Sequence, residues 1–299
     1  MPAVIELSAE VGEALAAGQP VVALETTLVS HGFPGGRGLE VALESERRVR
    51  AAGAVPATVA VTGGRIRAGV DAGLLARLAR EQGVRKAGPR DLAACVVSGG
   101  LGATTVGGTL AVCRAAGIKF MGTGGIGGVH RGFSRSLDIS ADLAQLARTR
   151  AVVVASGPKS LLDVRATAEL LESLGVPVLG WRTSVLPRFY SAGGGPPVSA
   201  RVDDAGQAAR IARLHWELTG GSGLLVARPP SQSLDVDELV EAALAEAERA
   251  GVSGQEVTPA VLAYLHEATG GATLDVNAEL IAANAGLAGE LAVAYAAGT

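Results

Sequence analysis

Short apolar runs rich in Val and Ile alternate along the chain with stretches whose apolar residues recur at helical spacing. The apolar runs are typical of buried strands, and the amphipathic stretches predict helices. The predicted strands lie in PVVALETT, ATVAVTGG, GIKFMGTGG, AVVVASG and VPVLGWRT, and DLAACVVSGG leads to a further strand. The predicted helices cover residues 39–52, 71–82, 105–116, 140–148 and 161–174. This alternation predicts a layered α/β fold with helices on both faces of a sheet.

The later part of the chain has a different pattern. Residues 191–202, SAGGGPPVSARV, have the Gly and Pro content of a surface loop. From Asp235 onwards the sequence is mostly helical, with two Ala-rich amphipathic helices. The length of 299 residues suits one large α/β domain or two small ones. We expect a single domain that spans residues 1–299.

Composition excludes several classes of protein. No run of 18 apolar residues is free of charge, so we expect no membrane span. The first 13 residues have no basic segment of the kind that begins a secretory signal. The formal net charge of −3 lacks the basic surplus of nucleic-acid binders, so we expect no nucleic-acid partner. A small anionic ligand remains compatible with this charge.

Two residue types carry further information. Cys95 and Cys113 lie in apolar contexts and predict buried, reduced thiols in a cytoplasmic protein. Only three lysines, Lys86, Lys119 and Lys159, accompany 23 arginines. A retained lysine can supply a deprotonatable amine, which arginine cannot.

Polar or glycine-rich clusters follow three predicted strands: ETTLVSHG, GTGGIGGVHRG and SGPKS. Ligands of open α/β sheets bind where the carboxyl ends of strands meet loops. We therefore expect the three clusters to converge on one site. Lys159 ends one strand and is a candidate nucleophile for an imine, or alternatively a solvated lysine or a phosphate ligand. Glu25 ends another and should have a raised pKa, suited to a general acid or base, unless Thr26 and Thr27 simply cap it.

The glycine-rich segment GTGGIGGVHRG allows two interpretations. It contains the spacing of a dinucleotide fingerprint, so a nicotinamide-dependent oxidoreductase is one alternative. However, VHRGFSRS does not continue as a helix, and the next strand ends in Ser rather than in an acid. A loop that holds a phosphate or a substrate is favoured. His130 is a candidate phosphate contact or a structural histidine.

The segment DISADL is a candidate metal site. Asp138 and Asp142 would share one helix face if the helix began early enough, and oxygen-only ligation suits a hydrated hard cation such as Mg²⁺ or Mn²⁺. Alternatively, Ser140 is the N-cap and Asp142 an acid of the first turn. Lys86, in VRKAGPRDL, is able to pair with a phosphate.

ALETTLVSHG, KAGPRDL, GATTV, GTGGIGGVHRG, DISADL and GPKSLLD together resemble the signature segments of the pseudouridine-5'-phosphate glycosidases, also described as indigoidine-synthesis proteins. The resemblance runs in order from about residue 20 to residue 290. It implies an α/β protein, a three-layer α/β/α sandwich with a central mixed β-sheet. It also implies reversible cleavage of the C–C glycosidic bond of pseudouridine 5'-phosphate to uracil and ribose 5-phosphate, one Mn²⁺ per subunit and a homotrimer.

Roles follow from the same resemblance, residue by residue. Lys159 resembles the lysine that forms an imine with ribose C1', Glu25 the proton donor and Asp138 the Mn²⁺ ligand. The resemblance implies these substrate contacts: Lys86, Thr105, Val106, Thr123, His130, Ser140, Ala141, Asp142 and Asn284. Thr123 and His130 are expected at the phosphate, and Asn284 near the base. A C–C glycosidic bond has no leaving oxygen to protonate, so hydrolysis with two carboxylates is a poor route, and a route through an imine at C1' is expected instead.

Two positions depart from the resembled family. Pro158 stands where Ala or Val is usual, and Gly88 stands where Ser is usual. Pro158 removes one backbone donor and restrains Gly157. A third hypothesis, a catalytically idle phosphosugar-binding protein, is disfavoured because Lys159, Glu25 and Asp138 are all present.

Overall fold

A computed structural model describes residues 1–252 and 257–298. The strands are β1 (Ile5–Leu7), β2 (Val21–Leu24), β3 (Val55–Thr62), β4 (Arg65–Ala68), β5 (Arg85–Ala87), β6 (Gly102–Thr104), β7 (Phe120–Gly122), β8 (Val129–His130), β9 (Val152–Ala155), β10 (Leu162–Asp163), β11 (Val178–Trp181), β12 (Ala200–Val202) and β13 (Leu224–Ala227). The helices are α1 (Ala9–Ala16), α2 (Thr27–His31), α3 (Arg37–Ala51), α4 (Ala72–Arg80), α5 (Leu92–Ser98), α6 (Val106–Ala116), α7 (Phe133–Ser136), α8 (Ala141–Leu146), α9 (Val164–Ser173), α10 (Ala205–Thr219), α11 (Asp237–Arg249), α12 (Val257–Ala268) and α13 (Ala272–Ala296).

The main sheet has the strand order β1-β4-β3-β2-β7-β9-β13-β11-β12, with β6 paired to β3 and β5 paired to β6. From β3 to β12, neighbouring strands on this path are parallel. The second half of β3 instead pairs antiparallel with β4 and β6. The sheet is therefore mixed, as the resemblance implies. Because β2, β7 and β9 are adjacent and parallel, their carboxyl ends lie side by side.

Alternating side chains of the buried strands supply two apolar cores, one on each face of the sheet. Val21 and Ala23 of β2 belong to the core formed with α1, α6, α8 and α9. Val22 and Leu24 belong to the opposite core, formed with α3, α10 and α13. Helix, sheet and helix thus form three layers, which confirms the predicted α/β/α sandwich.

The long helix α13 packs unusually closely on the sheet. A Cβ atom added to Gly122, at the end of β7, would lie 2.7 Å from Cα of Ala285, so only glycine permits this approach. A further apolar cluster joins α11, α12 and the first turns of α13 to Leu161 and Phe189, which follow β9 and β11. The C-terminal helices therefore pack against the loops at the carboxyl edge of the sheet.

Some local predictions need correction. DLAACVVSGG leads to a strand, β6, as predicted, but its residues 92–98 form helix α5, which was not predicted. The predicted helix 161–174 begins only at Val164, because Leu162 and Asp163 form β10 against β8. The region after Asp235 holds α11, α12 and α13 rather than two helices. Cys95 and Cys113 are buried and free, as predicted.

In the part of the chain that the structure describes, none of the helices has the length and apolar character needed to cross a bilayer.

Candidate active site

The three clusters predicted to converge do meet at the carboxyl edge of the sheet. Glu25 directly follows β2, Thr123 directly follows β7, and Lys159 lies four residues beyond the end of β9. Adjacent parallel pairing of β2 with β7 and of β7 with β9 brings these loops together. Glu25 and Lys159 line the same cleft.

Glu25 is a buried carboxyl group. It is 6% exposed, and burial raises its pKa, while the positive charge of Lys159 partly opposes that rise. The hydroxyl of Thr123 donates a hydrogen bond of 2.5 Å to Oε1 of Glu25. Thr26 instead bonds the carbonyl of Val59, so it does not cap Glu25. The protonated form of Glu25 therefore persists to higher pH than that of an exposed glutamate.

Lys159 is held by the main chain on either side of it. Gly157 has a φ of +87°, and a Cβ there would collide with the carbonyl oxygen of Pro187. The turn before Lys159 therefore requires glycine. Pro158 pairs with Ile126 in a short parallel bridge, and the N–H of Lys159 donates to the carbonyl of Ile126 at 3.1 Å. The proline is thus accommodated, and it leaves Lys159 half-buried at the cleft.

Asp142 ties two loops of the cleft together. Its side chain is buried, and its two carboxylate oxygens accept the N–H groups of Gly107 at 2.7 Å and Gly127 at 2.8 Å. Gly107 belongs to the first turn of α6, and Gly127 to the glycine-rich loop. Asp142 therefore fixes the glycine-rich loop against the start of α6.

In the segment 138–142, Ser140 caps a helix, and Asp138 and Asp142 do not share a helix face. Ser140 is the N-cap of α8, where its hydroxyl accepts the N–H of Asp142, and Asp138 lies outside the helix. Oδ2 of Asp138 lies 3.8 Å from Nδ1 of His130. Burial lowers the pKa of His130, although the charge of Asp138 partly opposes this shift.

The cleft has two connected lobes. The polar lobe, of about 300 Å³, contains most of the ionisable and hydroxyl groups predicted at the site. It is lined by Lys86, Arg90, Thr105, Val106, Gly127, His130, Asp138, Ser140, Ala141 and Asp142. The apolar lobe, of about 60 Å³, is lined by Leu28, Thr123, Gly124, Gly125, Phe189, Pro259, Leu262, Asn277 and Ile281. Glu25, Lys86 and Lys159 line both lobes.

Two predicted contacts are placed differently from expectation. Thr123 lines the apolar lobe and not the polar lobe that holds His130. Asn284 lines neither lobe, because its fully buried amide lies behind the loops. Its Nδ2 donates to the carbonyl of Thr123 at 2.8 Å and to the hydroxyl of Ser156 at 3.1 Å. Asn284 therefore positions the ends of β7 and β9.

Some residues of the cleft were not predicted. Asn277 and Ile281 of α13 and Phe189 contribute to the apolar lobe, and Arg90 contributes to the polar lobe. Phe189 has a φ of +61°, which is rare for a bulky side chain and typical of functional sites. Asn277 and Phe189 lie outside the sequence segments that were predicted to form the site, so no local pattern identifies them. Arg90 is the exception, because it lies within KAGPRDL, the segment that contains the predicted contact Lys86.

Comparison with known proteins supports the resemblance seen in the sequence. The model of the family described as "Indigoidine synthase A like protein" matches residues 10–294. The chain belongs to this family. The indigoidine synthase A-like chain is 47% identical to a protein of Paracoccus denitrificans, over 99% of this chain and 100% of that one. It is 43% identical to a protein of Escherichia coli, over 98% and 96%. Both relatives are called pseudouridine-5'-phosphate glycosidase.

Two solved structures are similar to this indigoidine synthase A-like chain. One is the prealnumycin C-glycosynthase AlnA in complex with ribulose 5-phosphate, with a TM-score of 0.89, 40% identity and coverage of 99% of this chain and 98% of that one. The other is an indigoidine synthase A-like protein of Thermotoga maritima, with a TM-score of 0.88, 37% identity and coverage of 97% and 96%. The family and the fold are thereby both shown.

The nicotinamide interpretation of GTGGIGG finds no support. A dinucleotide loop opens directly into a helix, whereas the loop of this indigoidine synthase A-like chain continues into β8. The N–H of Gly127 is also occupied by Asp142. Of the proteins named above, two are called glycosidases and one a C-glycosynthase.

The polar lobe fits a hydrated hard cation better than an enclosed metal centre. Among residues 1–252 and 257–298, no group of three or more His, Cys, Asp or Glu side chains is arranged to hold a metal ion. Asp138, whose side chain is 36% exposed, instead presents a carboxylate at the polar lobe. Mg²⁺ and similar hard cations keep several waters and need only one or two protein carboxylates.

Proposed function

We propose that this chain cleaves the C1'–C5 bond of pseudouridine 5'-phosphate to uracil and ribose 5-phosphate, and catalyses the reverse reaction. The relatives that match over nearly their whole length carry the name of that activity. One observation of the structure carries the proposal. Glu25 and Lys159 lie at the junction of an apolar lobe and a polar lobe, where a bond between a base and a sugar phosphate would lie.

The two lobes suit the two halves of the substrate. The apolar lobe offers Phe189 and Ile281 to the faces of a planar ring, and the amide of Asn277 to its polar edge. The polar lobe offers Lys86 and Arg90 to a phosphate. The structurally similar C-glycosynthase AlnA was solved in complex with ribulose 5-phosphate, which supports a pentose phosphate as the class of ligand.

Lys159 is the proposed nucleophile. Its Nζ lone pair displaces O4' from C1', which opens the ribose ring and leaves a secondary amine on C1'. As Glu25 protonates C5 of uracil, the C1'–C5 bond breaks and the nitrogen lone pair forms an imine at C1'. Water then hydrolyses the imine, which releases ribose 5-phosphate and restores the amine. The burial of Glu25, which raises its pKa and so favours the protonated form, supports this assignment, because C5 requires an acid.

The remaining predicted residues have supporting roles. Lys86, Thr105, Val106, His130, Ser140 and Ala141 line the proposed sugar phosphate lobe, and Asp138 would hold one Mn²⁺ per subunit through a mostly hydrated shell. When bound, such a cation supplies positive charge that stabilises developing negative charge on oxygen. Thr123 orients Glu25.

Turnover tests the proposal directly. Purified protein with Mn²⁺ should convert pseudouridine 5'-phosphate to uracil and ribose 5-phosphate, and should form it from those products, as detected by mass. Chelation should remove most of this activity. No turnover in either direction, with binding of ribose 5-phosphate retained, would favour the idle phosphosugar-binding protein. Activity that survives complete metal removal would contradict the role of Asp138.

The predicted homotrimer and cytoplasmic location belong to the same proposal and are supported by the resemblance of the sequence. Light scattering coupled to size exclusion should give three times the 29.9 kDa of the chain. A monomeric mass would contradict the homotrimer.

A further inference from the structure

A second cavity, of about 420 Å³, lies outside the proposed active site. It is bounded by α3, by α13 and by the residues at the carboxyl ends of β11 and β13. Three arginines line it, together with Trp181, Gly286 and Glu290: Arg48, Arg182 and Arg228. None of its lining residues lines the polar or the apolar lobe.

Arg228 contains an unsatisfied donor at this cavity. Its Nη1 is buried and has no hydrogen-bond partner among the described residues. Buried polar atoms in native proteins nearly always have a partner, and an unpaired one commonly marks a missing water or ion. A guanidinium carries only donors, so the partner must present an acceptor oxygen.

Arg182 is held in an unusual conformation beside Arg228. Its φ is +56°, which is uncommon for a residue other than glycine and is retained mainly where surrounding contacts or function require it. Its guanidinium stacks over Trp181 at 5.2 Å, and its Nε makes only a long bond of 3.4 Å to the carbonyl of Asp203. Most of its donors therefore remain open to a ligand.

The charge of the lining is positive. Three arginines face one acid, Glu290, which leaves an excess of two positive charges. Arg48 is already bonded to Glu44 at 2.7 Å, and the charge of Arg182 acts on the carboxylate of Asp203, which leaves Arg228 as the arginine of this lining without a carboxylate partner among the described residues. The cavity also lies at the carboxyl edge of the sheet, where ligands of α/β proteins commonly bind.

From these observations we propose that the cavity binds a small oxyanion-bearing ligand, a phosphate or a carboxylate, held by Arg228 and Arg182. Guanidinium groups bind such planar or tetrahedral oxyanions through paired hydrogen bonds. The ligand would supply an acceptor to Arg228, whose buried Nη1 must turn towards the cavity to reach it. The inference does not depend on the reaction proposed for the active site.

Calorimetric titration of the full chain tests the proposal. Pyrophosphate, inorganic phosphate and citrate are the probes, and any binding that Arg228→Gln and Arg182→Gln leave unchanged is assigned to the active site. At least one should bind the wild type, and Arg228→Gln should weaken that binding about 10-fold or more. Preference for citrate or for a phosphate identifies the source of the oxyanion. Arg210→Gln, an exposed arginine of α10 that does not line the cavity, is the matched control and should bind as the wild type does.

Other outcomes remain decisive if Arg228→Gln folds poorly. Arg182→Gln should weaken the same binding, and Glu290→Gln should tighten it because it removes the opposing charge. Pyrophosphate or citrate should raise the unfolding temperature of the wild type more than that of Arg182→Gln. No binding by the wild type, or equal binding by wild type, Arg228→Gln and Arg182→Gln, would overturn the proposal.

Discussion

Asp142 and Asp138 lie four residues apart, and the structure predicts different consequences when each is replaced by asparagine. Asp142 is buried, with each carboxylate oxygen on a different main-chain N–H, from Gly107 and from Gly127. Asp142→Asn keeps the shape but turns an NH₂ group towards one of those donors. Asp138→Asn changes a half-exposed group near His130. We therefore expect the first to reduce stability and the second to reduce metal-dependent activity.

The size of the effect follows from the bonds that are lost. A hydrogen bond to a charged group contributes about 1.5–3 kcal/mol, so Asp142→Asn should lower the free energy of unfolding by that amount. Asp142→Ala leaves two buried donors unpaired and should cost roughly 3–6 kcal/mol, a large part of the 5–15 kcal/mol of a typical domain. Asp138→Asn should stay within about 0.5 kcal/mol of the wild type.

Urea denaturation followed by circular dichroism measures these differences, and steady-state kinetics accompanies it. The charge of Asp142 also raises the pKa of Glu25, so Asp142→Asn should move the alkaline limb of kcat/KM to lower pH. For Asp138→Asn we expect weaker Mn²⁺ activation at unchanged stability. If both asparagine variants lose equal stability, or if Asp142→Asn loses none, then Asp142 does not hold the glycine-rich loop against α6 as inferred.

Further predictions concern the two lobes and the acid. Because burial raises the pKa of Glu25, kcat/KM should fall only as pH rises through that raised pKa, and native stability should decline with pH over the same window, since the folded state binds the extra proton. Glu25→Gln should abolish turnover and remove the decline of stability with pH. An active Glu25→Gln enzyme would show that Glu25 is not the proton donor. Thr123→Val removes a bond that lowers the pKa of Glu25, so the alkaline limb should move to higher pH, and an unmoved limb would contradict this. Asn277→Ala should raise KM for uracil more than KM for ribose 5-phosphate. A larger rise for ribose 5-phosphate would contradict the placement of uracil in the apolar lobe. Pseudouridine should show a kcat/KM roughly 10- to 150-fold below that of its 5'-phosphate, a gap that Lys86→Gln should narrow; equal values would exclude a phosphate site.

The sequence predicted the layered fold and the meeting of three loops because both depend on local signals. Buried strands such as AVVVAS are continuous apolar runs, and the polar clusters that follow them mark their carboxyl ends. The secondary structure of DLAACVVSGG was harder to predict, because a short apolar run fits a strand or a helix equally well. Short edge strands such as β10 depend on tertiary pairing that no local pattern shows.

The candidate site was less completely predictable, for a related reason. Glu25 stands directly after β2, and Lys159 lies four residues beyond β9, so their position could be inferred, and the buried environment of Glu25 followed from it. Asn277 and Asn284 lie seven residues apart on α13, and their different roles depend on how that helix packs against Gly122 and Gly124. Nothing in the sequence fixes that packing, so the roles of the two asparagines could not be separated in advance.

Covalent trapping tests the central claim most directly. Borohydride added during turnover should reduce the imine and leave ribose 5-phosphate attached to the protein, and peptide mapping should place the adduct on Lys159. Lys159→Arg should keep the fold but give neither turnover nor adduct, because arginine keeps the charge and cannot act as a free amine. Lys119, which precedes β7 and lines neither lobe, provides the matched control, and Lys119→Arg should be trapped normally. An adduct on Lys86, or an active Lys159→Arg enzyme, would contradict the account.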